Sequence, residues 1–270
     1  MRARRILWMG ILALLLASCS AGVKTATPMH LRMSGSEAVA KLLRSVANSY
    51  TQKHSHITVD IEETNSKAGL HSLLRGDVDI ALVSGPLTQE EAPGLRIVPI
   101  GYDSITIVVN PSNPVHDLTL SEIHALFAGD ILNWSQVGGE NTPVQIISRE
   151  DGSGTRAAFE SQVMGERRVT RTALVATGSD TVYDAIAADQ NALGYLPSSL
   201  LGPRVRAIRI QGVDPMPSNL GNGSYPLTLP LLLVTHADPP RVVADFVGFV
   251  LSPAGQQIIS ESCLPLQKMP

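Results

Sequence analysis

The sequence predicts an α/β fold, and three observations predict it. Apolar residues recur at helical spacing in some windows and alternate or run together over strand lengths in others. The two kinds of window follow one another along the whole chain, and small-residue turns sit where strand-like stretches give way to helices.

Taken in order, residues 36–53 carry Val39, Leu42, Leu43, Val46 and Tyr50 on one helical face, and Ile57-Thr58-Val59-Asp60-Ile61 alternates as a strand. A short helix is expected over 67–75, a buried strand over 79–83, and two further β-rich runs over 95–100 and 105–109. The middle of the chain reads as helices over 119–127, 155–164 and 181–188, with strands over 144–147, 193–196 and 205–210. A Gly/Pro/Asn-rich stretch over 212–226 precedes a strand over 227–235 and helices over 240–251 and 253–260. No internal repeat or low-complexity tract is present.

The run Ser148-Arg149-Glu150-Asp151-Gly152-Ser153-Gly154-Thr155-Arg156 is the candidate anion site. A small-residue turn opening a helix leaves backbone N–H groups unpaired and pointing one way, and the helix dipole adds positive potential there. Ser153 and Thr155 add hydroxyl donors, and the planar guanidinium of Arg149 suits a tetrahedral oxyanion held through two oxygens. An ordinary capped helix satisfies the same pattern, so the weight falls on joint occurrence. Ser34-Gly35-Ser36-Glu37 and Asn65-Ser66-Lys67-Ala68-Gly69 also lead into helices, and Ser179-Asp180-Thr181 is a weaker fourth. In open α/β sheets ligands collect outside the carboxyl ends of strands, where such turns lie.

The N-terminus combines Arg2, Arg4 and Arg5 with an apolar run from Ile6 to Ala17 and small residues before Cys19. These are the parts of a secretory signal, too short to span a bilayer as a helix. Small residues immediately before a Cys specify a bacterial lipoprotein signal, so residues 1–18 are expected to be removed and Cys19 lipidated, with 19–28 as a tether. Localisation is then lipid-anchored, on the extracytoplasmic side of a bacterial membrane. Removing 1–18 leaves 252 of 270 residues and takes away three Arg and no acid, moving the formal charge from −3 to −6. That balance argues against nucleic acid and requires any anion site to be built from local donors. Cys263 is left without a partner, so the core must hold the fold. Aromatic residues are few, so a stacking surface for sugars or bases is not expected, and Trp134 reads as a packing residue.

A resemblance then becomes specific. Val108-Val109-Asn110-Pro111-Ser112-Asn113-Pro114, Leu118-Thr119, the run Phe127-Ala128-Gly129-Asp130-Ile131-Leu132-Asn133-Trp134, and Arg149 through Arg156 occur in an order that resembles the phosphate-binding lipoproteins of bacterial phosphate ABC transporters. Asn191-Ala192-Leu193-Gly194-Tyr195, Tyr225-Pro226-Leu227-Thr228 and Ser252-Pro253-Ala254-Gly255 continue it over nearly the whole mature chain. No Lys follows the glycines where a Walker loop needs one. The resemblance implies a two-domain type II periplasmic-binding-protein fold, with a ligand cleft between lobes joined by two crossover strands near 105–110 and 227–234. Lobe 1 would comprise 29–107 plus 235–270, and lobe 2 would comprise 108–234. It also implies ligands at Ser36, Ser66, Arg149, Ser153, Gly154 and Thr155. The implied partners are inorganic phosphate or a related oxyanion and ABC permease subunits, with no cofactor, no metal and a monomeric state.

One position departs from the family pattern. Gly85 stands in the turn after Asp79-Ile80-Ala81-Leu82-Val83-Ser84, where the family commonly carries Asp or Arg. In the Asp-bearing members the carboxylate accepts the proton of bound phosphate, which bears on selectivity against sulfate. Glu37 either substitutes as that acceptor or supplies negative charge at a helix N-terminus; Ser84 either donates to the ligand or begins a turn. Transport receptor is the first reading and a sensor for another oxyanion the alternative. An esterase or phosphatase is disfavoured, since no His or metal-binding cluster lies near Ser153 to activate a nucleophile.

Overall fold

The computed structural model describes residues 27–266. The leader, Cys19, nearly all of the tether and residues 267–270 lie outside the described residues. The first segment runs β1 (Met29–Ser36), α1 (Glu37–Lys53), β2 (Ile57–Thr64), α2 (Ser66–Arg75), β3 (Ile80–Ser84) and the long β4 (Leu95–Val109). The middle adds β5 (Asp117–Leu118), α3 (Leu120–Ala128), β6 (Gln145–Arg149), α4 (Gly154–Phe159), β7 (Leu174–Ala176), α5 (Ser179–Ala188), β8 (Ala192–Pro197), β9 (Arg206–Ala207), β10 (Arg209–Ile210) and α6 (Pro217–Gly221). The last segment holds β11 (Thr228–His236), α7 (Arg241–Leu251), α8 (Pro253–Ile259) and β12 (Leu264–Pro265).

The strand order is β2-β1-β3-β11-β4-β8-β6-β7, and β4 belongs to two halves of it. Its residues 95–104 pair antiparallel with β11, which also pairs with β3, while β1 lies parallel to both β2 and β3. Its residues 105–109 pair with β8, and β8, β6 and β7 run parallel to one another. Parallel strands joined through helices bury both faces. In the first lobe α1 buries Val39, Leu43, Val46 and Tyr50 on one face of the sheet, where Tyr50 meets Phe246 of α7 edge-on at 5.2 Å. On the other face Leu73 of α2 packs with Val83, Leu95 and Val234. The second lobe closes around Phe127, Phe159 and Tyr195, the last two stacked at 4.3 Å, and Val182 and Ile186 of α5 pack on Ile147 and Leu196. Each such side chain contributes about 1.5–3 kcal/mol by leaving water. Trp134 is buried as expected, its indole N–H donating to the Asn191 carbonyl. Cys263 is free and buried.

Several expectations need correction. β1 was not foreseen, because its period-two apolar set, Met29, Leu31 and Met33, is short and its inner end is built from the buried Ser34 and Ser36. The runs 95–100 and 105–109 are one strand. Gly101-Tyr102-Asp103-Ser104 reads as a break, yet β11 and β12 pair across it, and the buried Asp103 carboxylate accepts from the Ser104 and Ser199 amides and the Ser198 and Ser199 hydroxyls. The expected strand 205–210 is two short pieces on different partners, β9 on β4 and β10 on β5. The expected helix 155–164 is α-helical only to Phe159 and continues as a π turn over Glu160–Met164. β4 passes from one half to the other, and β11 returns the chain to the first. Ser104 pairs with Thr228 in the first half, Ile105 already pairs with β8, and the Ile105 amide donates to Leu227 at 3.1 Å. Residues 228–234 therefore ladder with the first lobe's strands. Among the described residues no single helix is long and apolar enough to cross a membrane.

Candidate functional site

Parallel strands deliver their helices' N-termini to one end of the sheet, and here three of them converge. β1 ends at Ser36 where α1 begins, β2 leads through Asn65 into α2, and β6 ends at Arg149 just before the turn into α4. Asn65 caps α2 by accepting from the Ala68 amide at 2.9 Å, and Ser153 caps α4 by accepting from Arg156 at 3.3 Å. Among the described residues, no acceptor meets the first-turn amides of Glu37, Ala38, Ser66, Gly154 and Thr155. These are helix-start donors of the kind that hold anions.

The pocket they face is lined by Ser36, Glu37, Ser66, Ser84, Arg149, Ser153, Gly154 and Thr155, together with Ala38, Thr64, Asn65 and Ser179. All eight residues singled out from the sequence thus meet in one place, half from each lobe. Thr64 was missed because it closes the strand before α2, Asn65 was read only as the opening of a helix-start turn, and Ser179 was only the weaker fourth helix start. Cys19 lies outside the described residues.

Arg149 is 4% exposed and tightly held. Its Nε and one terminal nitrogen donate to the two oxygens of Glu150 at 2.8 and 3.0 Å, and the other terminal nitrogen donates to Ser179 Oγ at 2.6 Å. A guanidinium has five N–H groups, so two remain uncommitted. Its backbone amide donates to the Tyr195 hydroxyl at 3.2 Å, which also bonds Ser148 Oγ; burial pushes that phenol's pKa up, keeping it neutral. In the first lobe Ser36 Oγ donates to Ser84 Oγ at 2.9 Å, leaving the Ser84 proton uncommitted. Ser66 Oγ is used twice within its own lobe, accepting from the Ser84 amide and donating to the Ser84 carbonyl. Among the described residues lining the pocket, Arg149 is the one cation and Glu37 the one carboxylate. The arrangement can hold a small oxyanion chiefly through neutral dipoles plus one guanidinium, which a desolvated polyvalent anion requires in number.

The lobes touch through backbone. A Cβ on Gly85 would overlap the Gly154 carbonyl oxygen, and one on Gly154 would overlap the Ser84 carbonyl, while Gly85 sits at φ +88°. That close approach explains why the turn after β3 carries no side chain. The contact also separates the polar pocket from a groove of about 530 Å³ lined by Leu70, Leu74, Val83, Pro86, Leu87 and Leu95 among others. An oxyanion gains nothing from such walls, so the smaller polar pocket is the candidate. No group of three or more His, Cys, Asp or Glu able to hold a metal occurs among the described residues.

Two lobes on shared strands, with polar helix starts facing one another between them, define a two-lobed protein with a polar cleft. Residues 21–254 match the model of the PBP superfamily domain, and the chain belongs to that superfamily. Within it, the chain belongs to the substrate-binding proteins of phosphate ABC transporters. It is 33% identical to a phosphate ABC transporter substrate-binding protein of Clostridium perfringens solved with bound phosphate, with a TM-score of 0.84 over 87% of this chain and 98% of that one. It is 31% identical to an ABC-type phosphate transport receptor of Vibrio cholerae, with a TM-score of 0.72 over 87% of this chain and 99% of that one. Over 228 residues it is 27% identical to the phosphate-binding protein PstS of Bacillus subtilis, covering 82% of this chain and 75% of the relative.

Proposed function

We propose that this protein is an extracytoplasmic receptor that captures inorganic phosphate between its lobes and delivers it to an ABC permease. Ser84, Arg149, Ser153 and the amides of Ser66, Gly154 and Thr155 donate to the ion, Ser36 supports Ser84 through its hydroxyl, and Glu37 borders the ion. On this reading the chain acts as a monomer, is held to the membrane by lipid on Cys19, and carries out no chemistry on the ion. Lobe 1 ends at Ser104 and resumes at Thr228, with the second lobe between.

The observation that carries the reading is the convergence of uncommitted donors from both lobes around the one buried guanidinium of the pocket. An anion touching both lobes stabilises only the closed arrangement, so capture and closure are one event. Calorimetric titration of the unlipidated mature chain with phosphate, sulfate and molybdate tests it. Phosphate is expected to bind most tightly at one site per chain; sulfate or molybdate binding more tightly would move the protein to another oxyanion.

A further inference from the structure

Glu37 stands in the first turn of α1, and among the described residues its carboxylate accepts no hydrogen bond from that helix. Oε2 accepts from the Ser179 amide at 2.7 Å, across the cleft, and lies 3.9 Å from the Arg149 guanidinium. The start of α5, where Ser179 lies, has Gly178 as its cap residue and no side-chain cap of its own. Its first-turn amide therefore takes its acceptor from the opposite lobe, with the helix dipole favouring that negative charge. Ser179 is 2% exposed, so its N–H has no route to water in the closed molecule. Two ion pairs flank the same seam, each with its Lys on the first lobe and its Asp on the second: Lys41 to Asp180 at 3.2 Å and Lys67 to Asp151 at 3.5 Å. The Lys67 amide also donates to the Gly152 carbonyl at 3.2 Å.

We propose that Glu37 is a cross-cleft latch, a positioning residue whose carboxylate takes the anion-attracting start of α5 for the protein itself and holds the lobes together whichever oxyanion lies in the pocket. This rests on the reading of the pocket as the space between two closing lobes. The fourth helix start is thereby withheld from the ligand, which faces the other three. The hydrogen bond from a buried amide to a carboxylate is the main element. The exposed Lys–Asp pairs change the closed-to-open ratio by no more than a few-fold, since solvent screens them.

The test follows lobe separation in the anion-free chain by single-molecule energy transfer between dyes at the exposed Gln52 and Glu166, alongside dissociation rates of phosphate and of sulfate. Glu37→Ala is expected to lower the closed-to-open ratio about tenfold or more without any anion, and to speed release of both anions by the same factor. Glu37→Gln, whose amide oxygen still accepts from Ser179, should recover most of the closed population. Lys41→Ala should produce only a few-fold change. Unaltered lobe separation in Glu37→Ala would overturn the latch, as would release that changes for one anion alone, which instead marks Glu37 as a ligand contact. Because the energy-transfer arm contains no anion, it fails or succeeds independently of whether phosphate is the ligand.

Discussion

Arg149 reaches the pocket with three of its five N–H groups already spoken for, two by Glu150 and one by Ser179. Its orientation is therefore fixed before an anion arrives, and the remaining two donors lose little freedom on binding. Two charge-assisted bonds at roughly 1.5–3 kcal/mol each predict that Arg149→Ala raises the phosphate Kd about a hundredfold or more. Ser66 differs, because its hydroxyl already satisfies the Ser84 backbone within the first lobe. Ser66→Ala should cost about tenfold or less by calorimetry. Equal, small losses in the two variants would contradict this assignment of donors. Both residues were legible as candidates in the sequence; their unequal standing was not, since the partners that occupy Ser66 come from a strand 18 positions away.

At the scale of elements, the turn after β3 meets the N-terminus of α4 with no side chain between them, and Gly85 also holds a left-handed backbone. Gly85→Ala adds a Cβ where the Gly154 carbonyl stands and strains a positive φ by about 1–2 kcal/mol. It is expected to weaken phosphate binding at least about tenfold, because the lobes can no longer approach fully. A wild-type affinity in that variant, read by the same titration, would show that binding does not need this contact. The longer helices and several of the parallel strands were readable because their apolar periods are strong, as in α1 with Val39, Leu43, Val46 and Tyr50. β1 and the centre of β4 were not, because each buries polar residues whose partners are distant in sequence, Ser36 with Ser84 and Asp103 with Ser198 and Ser199. Local pattern carries no trace of a partner almost a hundred residues away. The reason for Gly85 was hidden for the same cause, since its neighbour Gly154 belongs to the other lobe.

For the whole molecule, Asp103 joins the crossing strand to the Ser198–Ser199 corner of the second lobe. Burial holds its carboxyl above the ordinary 3.8, with no cation among the described residues to offset the cost. The folded chain thus keeps a proton that the unfolded chain gives up, so the stability this group contributes is full below about pH 3.8 and is lost as pH rises toward the raised value. Asp103→Asn carries no such proton. The melting temperature of the wild type relative to the variant is expected to be highest in acid and to fall as pH increases from about 4, levelling once Asp103 has ionised. A difference that stays flat from acid to neutral pH would exclude it.

The place of β11 has a consequence for how the chain comes to be made. It lies between β3 and β4 in the first lobe's sheet, yet it emerges more than a hundred residues after them. The second lobe draws its strands from one uninterrupted stretch, from the latter half of β4 through β10. A chain that appears from its N-terminus onward can therefore complete the middle of its sequence while β3 and β4 still wait for their common neighbour. In this molecule the part made first is finished last.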